Sequence, residues 1–91
     1  MTTAITHDRV GRKFTTSVDG HEGHVDYESD DGRIVITHTV VPAEIGGRGI
    51  AAELVKAALD FARDEGLKVE PRCSYAEGYL QKHPEYASLA S

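Results

Sequence analysis

Three absences limit what this 91-residue chain can be. It has one cysteine, Cys73, so no internal disulfide forms and the fold does not depend on an oxidising compartment. No apolar run approaches the length of a membrane span, and the first residues lack the basic and apolar regions of a signal peptide. We therefore expect a cytoplasmic protein without a membrane partner.

The chain also lacks an excess of basic residues. Ten Lys and Arg stand against fifteen Asp and Glu, which gives a formal net charge of −5. This balance argues against broad electrostatic binding to nucleic acid or anionic membranes, so any phosphorylated ligand must be held locally. The five histidines do not have the spacing of metal ligands. We expect neither a nucleic acid nor a metal as ligand.

What is present is the composition of one small globular domain. Apolar residues make up 40% of the chain and charged residues 27%, which is typical of an ordered rather than a disordered protein. A chain of this length has room for a single core. With no internal repeat or linker, residues 1–91 are predicted to form one domain, as a monomer or a weak homodimer.

The first half of the chain predicts a three-stranded antiparallel meander. Apolar and polar residues alternate over residues 13–18 and 23–28, with the turn signal Asp19-Gly20 between them. A second turn at residues 29–32 leads into an apolar third strand at residues 33–41. The first eight residues are read as a polar lead.

The second half predicts a helix, a strand and another helix. From Ile50 onward apolar residues recur at helical spacing, and Gly66 ends that helix. Residues 67–71 form a short strand, which a right-handed crossover places parallel to the third strand. A C-terminal helix covers residues 74–82, capped by Ser74, and the tail beyond is expected to be a loose turn or disordered. The predicted fold class is therefore α/β (α+β).

The turn before the first helix carries the clearest functional signal. Gly46, Gly47 and Gly49 surround Arg48 directly ahead of the helix. The first N–H groups of a helix lack intrahelical acceptors and carry partial positive charge, and glycine permits positive φ and removes the Cβ atoms that hold an anion away. The turn matches neither a Walker loop nor Gly-x-Gly-x-x-Gly. By itself the turn is equally consistent with an anion-binding site and with a tight connection between the third strand and the helix.

Several motifs along the chain together resemble the GNAT N-acetyltransferases, and more closely their small YjdJ-type branch. The resemblance covers nearly the whole sequence. It is carried by Val18-Asp19-Gly20, Thr37-His38-Thr39-Val40-Val41-Pro42, Gly47-Arg48-Gly49-Ile50-Ala51, Phe61-Ala62-Arg63, Val69-Glu70-Pro71-Arg72-Cys73-Ser74-Tyr75 and His83-Pro84-Glu85-Tyr86.

The resemblance implies a minimal GNAT-like fold with an acetyl-CoA site, in a cleft where the third and fourth strands splay apart. In that family the pantetheine arm pairs with the backbone of the third strand, and the pyrophosphate lies on the loop amides. One departure is Gly46, where the family usually has Arg or Gln, so a side-chain contact is lost. The implied residues that bind acetyl-CoA or coenzyme A are Thr39, Val40, Val41, Gly46, Gly47, Arg48, Gly49, Ile50 and Ala51.

Three side chains are candidates for the chemistry, since transfer to an amine needs a proton acceptor and a proton for the leaving thiolate. Cys73 precedes a helix, so the helix N-terminus and Arg72 would stabilise its thiolate, as nucleophile or proton donor. His38, on the predicted third strand, is the candidate base. Tyr79 falls near the position of a proton-donating tyrosine in GNAT enzymes. Each residue also has an alternative role that is only structural. Cys73 would be a buried thiol, His38 a hydrogen-bonded histidine of a strand, and Tyr79 a tyrosine of the core.

The leading interpretation is an N-acetyltransferase that moves an acetyl group from acetyl-CoA to an unidentified amine, directly or through an acetyl-Cys73 intermediate. The alternative is a non-catalytic acyl-CoA-binding module, because so short a chain lacks the N-terminal helices that shape the acceptor site in larger GNAT enzymes. A third interpretation is an interaction domain that uses the open face of the sheet.

Overall fold

The computed structural model describes residues 4–90. In this range a mixed five-stranded sheet, in the order β1-β2-β3-β4-β5, carries two α-helices. The elements are β1 (Thr6–Asp8), β2 (Lys13–Val18), β3 (His21–Asp30), β4 (Arg33–Val40), α1 (Ile50–Asp64), β5 (Lys68–Pro71) and α2 (Ser74–Lys82), with short 3-10 helices at Ala43–Ile45 and Pro84–Leu89. The predicted α/β class is confirmed. No helix among the described residues is long and apolar enough to cross a membrane.

Two tight turns fix the register of β2, β3 and β4. Asp19 and Gly20 have φ values of 51° and 79°, and Asp31 and Gly32 have 48° and 84°. Hairpin turns whose two central residues both have positive φ match the right-handed twist of the strands. Asp and Gly adopt positive φ more readily than most residues, which explains the Asp-Gly pair in each turn. The resulting register turns alternate side chains of these strands toward one face, and α1 packs across that face.

Helix α1 closes the core and returns the chain to the sheet. Its end at Gly66 is the predicted one, with φ at 70°. The amide of Leu67 donates to the carbonyl oxygen of Ala62 at 2.8 Å, and the amide of Gly66 donates to that of Arg63 at 3.2 Å. This turn leads into β5, which pairs parallel to β4 as predicted. The buried residues of α1 are Ile50, Leu54, Val55, Ala58, Leu59 and Ala62.

The structure has one strand more than the sequence predicts. Residues 6–8, read as part of a polar lead, pair antiparallel with β2, so four antiparallel strands precede the parallel one. The reason is His7, whose ring stacks on Phe14 with centroids 4.0 Å apart and whose Nε2 lies 2.6 Å from the Tyr27 hydroxyl. The sequence does not predict β1, because three residues are too few to show the alternation of a strand and a histidine is not counted as an apolar residue.

Residues 84–90, the described part of the C-terminal tail, adopt a defined structure, which contradicts the expectation of a loose turn or disorder. Residues 84–89 form a 3-10 helix in which Tyr86 and Leu89 are buried. The Tyr86 hydroxyl donates to Asp60 Oδ1 of α1 at 2.6 Å, and Ala90 forms a parallel bridge with Val69 beside β5. The burial of Tyr86 and Leu89 and the hydrogen bond from Tyr86 to Asp60 thus hold this segment in place. The segment is too short to show a hydrophobic period in the sequence.

The position of His7 predicts that the stability of the fold depends on pH. Burial, followed by the charge of Arg9, holds the pKa of His7 below its ordinary value. The folded chain therefore favours the neutral ring, and below about pH 6.5 the unfolded chain binds the proton more readily. We expect the urea midpoint to fall between about pH 7.5 and about pH 5.5.

Replacing His7 by Phe should reduce this fall, because the ring stack remains while the titrating group is removed. The matched control is His21→Phe, which removes an imidazole outside the ring cluster and should leave the pH dependence in place. Equal pH dependence in wild type and His7→Phe would contradict the prediction.

Candidate functional site

Strands β4 and β5 run together for four residue pairs and then separate. Their parallel pairing ends at Ile36 opposite Pro71. Beyond that point the amides of Arg72 and Cys73 both donate to the carbonyl oxygen of Ile36, at 2.9 and 3.2 Å, and the chain turns into α2. β4 continues along β3 alone, so within residues 4–90 no strand pairs with the other edge of residues 37–40. We call this opening the cleft.

A β-bulge in β4 lies where the strands part. His38 pairs with Asp26 on β3 and Ile36 pairs with the next residue, Tyr27, so Thr37 is an extra residue in β4. The Thr37 hydroxyl donates to the carbonyl oxygen of Asp26 at 3.3 Å. A bulge bends the strand and increases its local twist. The end of β4 is thereby turned away from the direction of β5.

The glycine loop lies at the C-terminal end of β4 with its backbone exposed. Residues 46–49 are all exposed, and Gly47 and Gly49 have φ values of 78° and 75°. A Cβ atom on either glycine would meet nothing within 4 Å, so the space beside this backbone is open. Gly49 is the N-cap of α1 and no side chain caps the helix. The first amides of α1 therefore remain available to an acceptor from outside the chain.

Two loop residues differ from the sequence-based prediction. Gly46 has φ at −65°, which any residue adopts, so only Gly47 and Gly49 use the freedom of glycine. The Arg48 guanidinium lies 2.6 Å from Asp19 Oδ2 in the first hairpin turn. These two side chains are 49% and 67% exposed, so their ion pair is weak. The guanidinium of Arg48 is therefore paired with the carboxylate of Asp19 and does not stand unpaired beside the first amides of α1.

Two recesses lie near the start of α1. The first, of about 270 Å³, is lined by the loop, the start of α1, Val41 and Tyr75. The second, of about 300 Å³, we call the interhelical groove, and its lining residues are Ala52, Ser74, Tyr75, Gly78, Tyr79, Lys82 and His83. Tyr75 lines both and is 42% exposed, so its side chain stands where the two recesses meet.

Cys73 lies at the start of α2, beside the free edge of β4. Its thiol donates to Thr39 Oγ1 at an S···O distance of 3.3 Å. Burial alone would raise the pKa of this thiol, but the Thr39 hydroxyl and the amides of Ala76 and Tyr75 favour the thiolate and outweigh it, so the pKa lies below its usual value. A partly exposed cysteine of lowered pKa is a reactive one.

Two details around Cys73 contradict the sequence-based prediction. Arg72 was expected to stabilise the thiolate, but its Nε bonds to Glu70 Oε2 at 2.5 Å and it is not among the groups that shift the thiol pKa. Ser74 is the first residue of α2, and Cys73 itself occupies the N-cap position. The cysteine is thus one position nearer to the helix amides than predicted, and these amides add to the stabilisation by the Thr39 hydroxyl.

His38 is exposed on the face of the sheet that lies opposite α1. Its Nδ1 is 3.2 Å from Thr37 Oγ1, and its strand partner is Asp26. Asp26 Oδ1 in turn lies 2.8 Å from Nδ1 of His24 on the same face. This His–Asp pair was not predicted from the sequence, although residues two apart in a strand share a face. The structure thus places His24, Asp26 and His38 on one face of the sheet, with the carboxylate of Asp26 beside His24.

Tyr79 lies away from both other catalytic candidates. Its ring stacks on His83 with centroids 3.9 Å apart and approaches Tyr86 at 6.3 Å. Burial raises the pKa of Tyr79, which keeps its proton near neutral pH. Within the described part of the chain no hydrogen bond, ion pair or ring contact links Tyr79 to Cys73 or His38. Of the three candidates, only Cys73 is bonded to the free edge of β4, through Thr39.

A mixed sheet that opens between β4 and β5, with an exposed glycine loop before the crossover helix, is a GCN5-like fold. The GCN5-related N-acetyl-transferase family matches residues 13–89, and the chain belongs to this family.

Relatives of known name and structure agree with this assignment. The chain is 45% identical over 83 residues to Protein NATD1 of Gallus gallus and to that of Homo sapiens, over 88% of this chain and 76% and 74% of those proteins. A GCN5-like protein of Staphylococcus aureus, solved in solution by NMR, has a TM-score of 0.76 and 30% identity, over 98% of this chain and 88% of that one. The resemblance seen in the sequence motifs is confirmed at the level of the family.

The Thr39–Cys73 contact predicts a shift in thiol reactivity. Replacing Thr39 by Val removes the hydroxyl that favours the thiolate, so the pKa of Cys73 should rise and alkylation by iodoacetamide near neutral pH should slow several-fold. At high pH, where the thiol is ionised in both proteins, the rates should converge. Thr15→Val on β2 is the matched control and should alkylate like wild type. An unchanged pH profile in Thr39→Val would contradict this account.

Proposed function

We propose that this protein transfers an acetyl group from acetyl-CoA to an amine. The observation that carries the proposal is the continuity of the cleft with the glycine loop. Residues 37–40 leave a free backbone edge where β5 ends, and the exposed backbone of Gly47 and Gly49 follows at the end of the same strand. Membership of the GCN5-related N-acetyl-transferase family supports the same class of reaction.

The residues present fit the parts of acetyl-CoA. Open space beside Gly47 and Gly49 gives a diphosphate access to the first amides of α1, where the helix dipole favours negative charge. The free edge of residues 39–41 offers backbone donors and acceptors to the amide groups of a pantetheine arm, as a sheet edge does to an added strand. When bound, acetyl-CoA supplies an activated acyl group as a thioester.

Three side chains are assigned to proton transfer. The amine nitrogen forms a bond to the acetyl carbon while the C–S bond of the thioester breaks, so the amine loses a proton and the departing sulfur gains one. We assign His38 to accept the amine proton, because its imidazole is exposed near the end of β4 and histidine is a common general base. Cys73, beside the free edge, is assigned to return a proton to sulfur, and Tyr79 is the second donor.

Cys73 also allows a two-step route with the same overall result. Its thiolate bonds to the acetyl carbon, the C–S bond to CoA breaks, and the CoA sulfur takes the proton that the thiol lost. The amine then attacks acetyl-Cys73 and the thiol is regenerated. The lowered pKa of Cys73 supports this route as well, so the two must be separated by experiment.

The variant Cys73→Ala separates the roles. Loss of a proton donor or nucleophile should lower kcat by about a hundredfold or more, with little change in CoA affinity. Incubation of the wild type with acetyl-CoA alone, followed by intact-mass analysis, should show an acetyl adduct only if the two-step route operates. Unchanged turnover of Cys73→Ala would exclude any chemical role for Cys73.

A pair of glycine variants tests the loop. Gly47→Ala and Gly32→Ala both force a Cβ onto a backbone with φ near 80°, at 78° and 84°, in open space. Each should lose about 1–2 kcal/mol of stability. Only Gly47→Ala should also weaken CoA binding by about tenfold or more in calorimetry, since only that residue borders the proposed diphosphate site. Equal CoA affinity in the two variants would contradict the proposal.

The remaining interpretations give different results in the same assays. A non-catalytic acyl-CoA-binding module would bind CoA yet acetylate no amine, polyamine or peptide. An interaction domain would show no thermal shift, whereas a ligand at a hundred times its dissociation constant stabilises by about 2.7 kcal/mol. Transfer to any amine together with the thermal shift would support the acetyltransferase.

A further inference from the structure

β1 covers only half of the sheet edge beside it. It has three residues and its ladder with β2 spans residues 13–15, so within residues 4–90 no strand pairs with the outer edge of residues 16–18. The segment is held to the core through Ile5, which packs just ahead of β1, and through His7, whose ring lies edge-on to that of Phe61 with centroids 4.5 Å apart. The attachment of β1 thus depends on an imidazole.

The surroundings of His7 disfavour a proton on its ring. The rings packed against it carry no charge and belong to Phe14 of β2, Tyr27 of β3 and Phe61 of α1. The guanidinium of Arg9, 5.1 Å from the centre of the Phe61 ring, repels a second positive charge, and Arg12 acts on the neighbouring Tyr27 hydroxyl in the same sense. Asp8 favours the proton, but burial and then Arg9 outweigh it, so the pKa of His7 lies below its ordinary value of 6.5.

Acid therefore favours detachment of β1 from the sheet. Once β1 is detached, His7 is in water and binds a proton more readily, so below about pH 6.5 the equilibrium moves toward the detached form. The loss is local, because β2 keeps its six residue pairs with β3 when the three with β1 are lost. Local openings of this kind need less free energy than global unfolding. β1 is thus the first strand to leave the sheet on acidification.

Detachment leaves the outer edge of β2 open to another strand. Unpaired amides and carbonyls on a free edge pair readily with a second chain. Two β2 strands in antiparallel register, with Thr16 opposite Thr16, place Phe14 of one copy opposite Val18 of the other. Both side chains belong to the core, so the two sheets join with α1 on the same side of each. A shift by one residue would turn these side chains to opposite faces.

Charge also favours a second copy of this chain as the partner. In the same register Lys13 of one copy lies opposite Asp19 of the other, and two-fold symmetry repeats this pair. The formal net charge of −5 counts the five histidines as neutral, so each proton that they take up brings the charge of a copy nearer to zero. Repulsion between two copies therefore falls as the pH falls.

We propose that β1 is an acid-released cover of the β2 edge, and that a second copy of the chain then pairs with β2 to form a two-fold symmetric dimer. The strands that remain in each copy, β2 to β5, together make one continuous sheet of eight strands. The inference does not depend on the proposed function, because β1 and β2 lie outside both the cleft and the glycine loop.

The first test measures molecular mass against pH by analytical ultracentrifugation. The wild type should be monomeric at about pH 7.5, and its dimer should tighten by about tenfold or more at about pH 5.5. His7→Phe keeps a ring in the cluster without a titrating group, so it should stay monomeric at both pH values. His7→Lys carries a permanent charge and should dimerise already at about pH 7.5.

His21→Phe is the matched control, since it removes an imidazole outside the ring cluster, and it should dimerise with acid like the wild type. A wild type that stays monomeric at the lower pH would overturn the proposal. So would a His7→Phe variant whose dimer tightens as much as that of the wild type.

The second test separates detachment of β1 from unfolding. Hydrogen exchange on the wild type at the lower pH should show loss of protection at the amides of Thr6–Asp8, while those of α1 remain protected. Loss of protection in α1 to the same extent would overturn the proposal, because acid would then act on the whole fold.

The third test addresses the register, in which Thr15 of one copy lies opposite Ser17 of the other. The double variant Thr15→Glu/Ser17→Glu sets like charges against each other and should weaken the acid dimer several-fold. The control Gln81→Glu/Ala87→Glu adds the same charge at exposed positions away from β2 and should dimerise like the wild type. Equal weakening in the two double variants would overturn pairing through β2.

Discussion

One carbonyl group determines the shape of the cleft. The oxygen of Ile36 accepts the amides of both Arg72 and Cys73, directly after the last β4–β5 pair at Pro71. With both amides committed to one acceptor, the chain cannot extend the parallel ladder and turns into α2 instead. The free edge of β4, the end of β5 and the position of the cysteine are therefore three consequences of a single backbone interaction.

The same turn sets the electrostatics of the thiol. Because α2 begins immediately after the double hydrogen bond, Cys73 occupies the N-cap position, within reach of helix amides and of Thr39 on the free edge. Those donors overcome the burial that would otherwise raise the pKa of the thiol. On the far side of the same strand, His38 lies beside Asp26 on the opposite face. Of the three groups assigned to proton transfer, only Cys73 contacts the free edge of β4, through Thr39.

Much of this fold could be predicted because its signals are local. Helical spacing marks α1, Asp-Gly pairs mark the hairpins, and glycines ahead of a helix mark the loop. What could not be predicted depends on contacts between distant residues. His7 meets Tyr27 across 20 positions, and Arg48 meets Asp19 across 29. The bulge in β4 could not be predicted either. It is defined by the register between β3 and β4, and neither strand carries a sequence pattern that indicates it.

The edges of the sheet have a consequence for self-association. β1 is three residues long, β5 is four, and Ala90 bridges to β5, so both outer edges are short or partly covered. Short or covered edges are a common protection against edge-to-edge aggregation. Within residues 4–90 the free run at residues 37–40 is instead an internal edge, flanked by α2. A pantetheine arm seated there would act as a substitute strand, so ligand binding would also cover this edge against pairing with another chain.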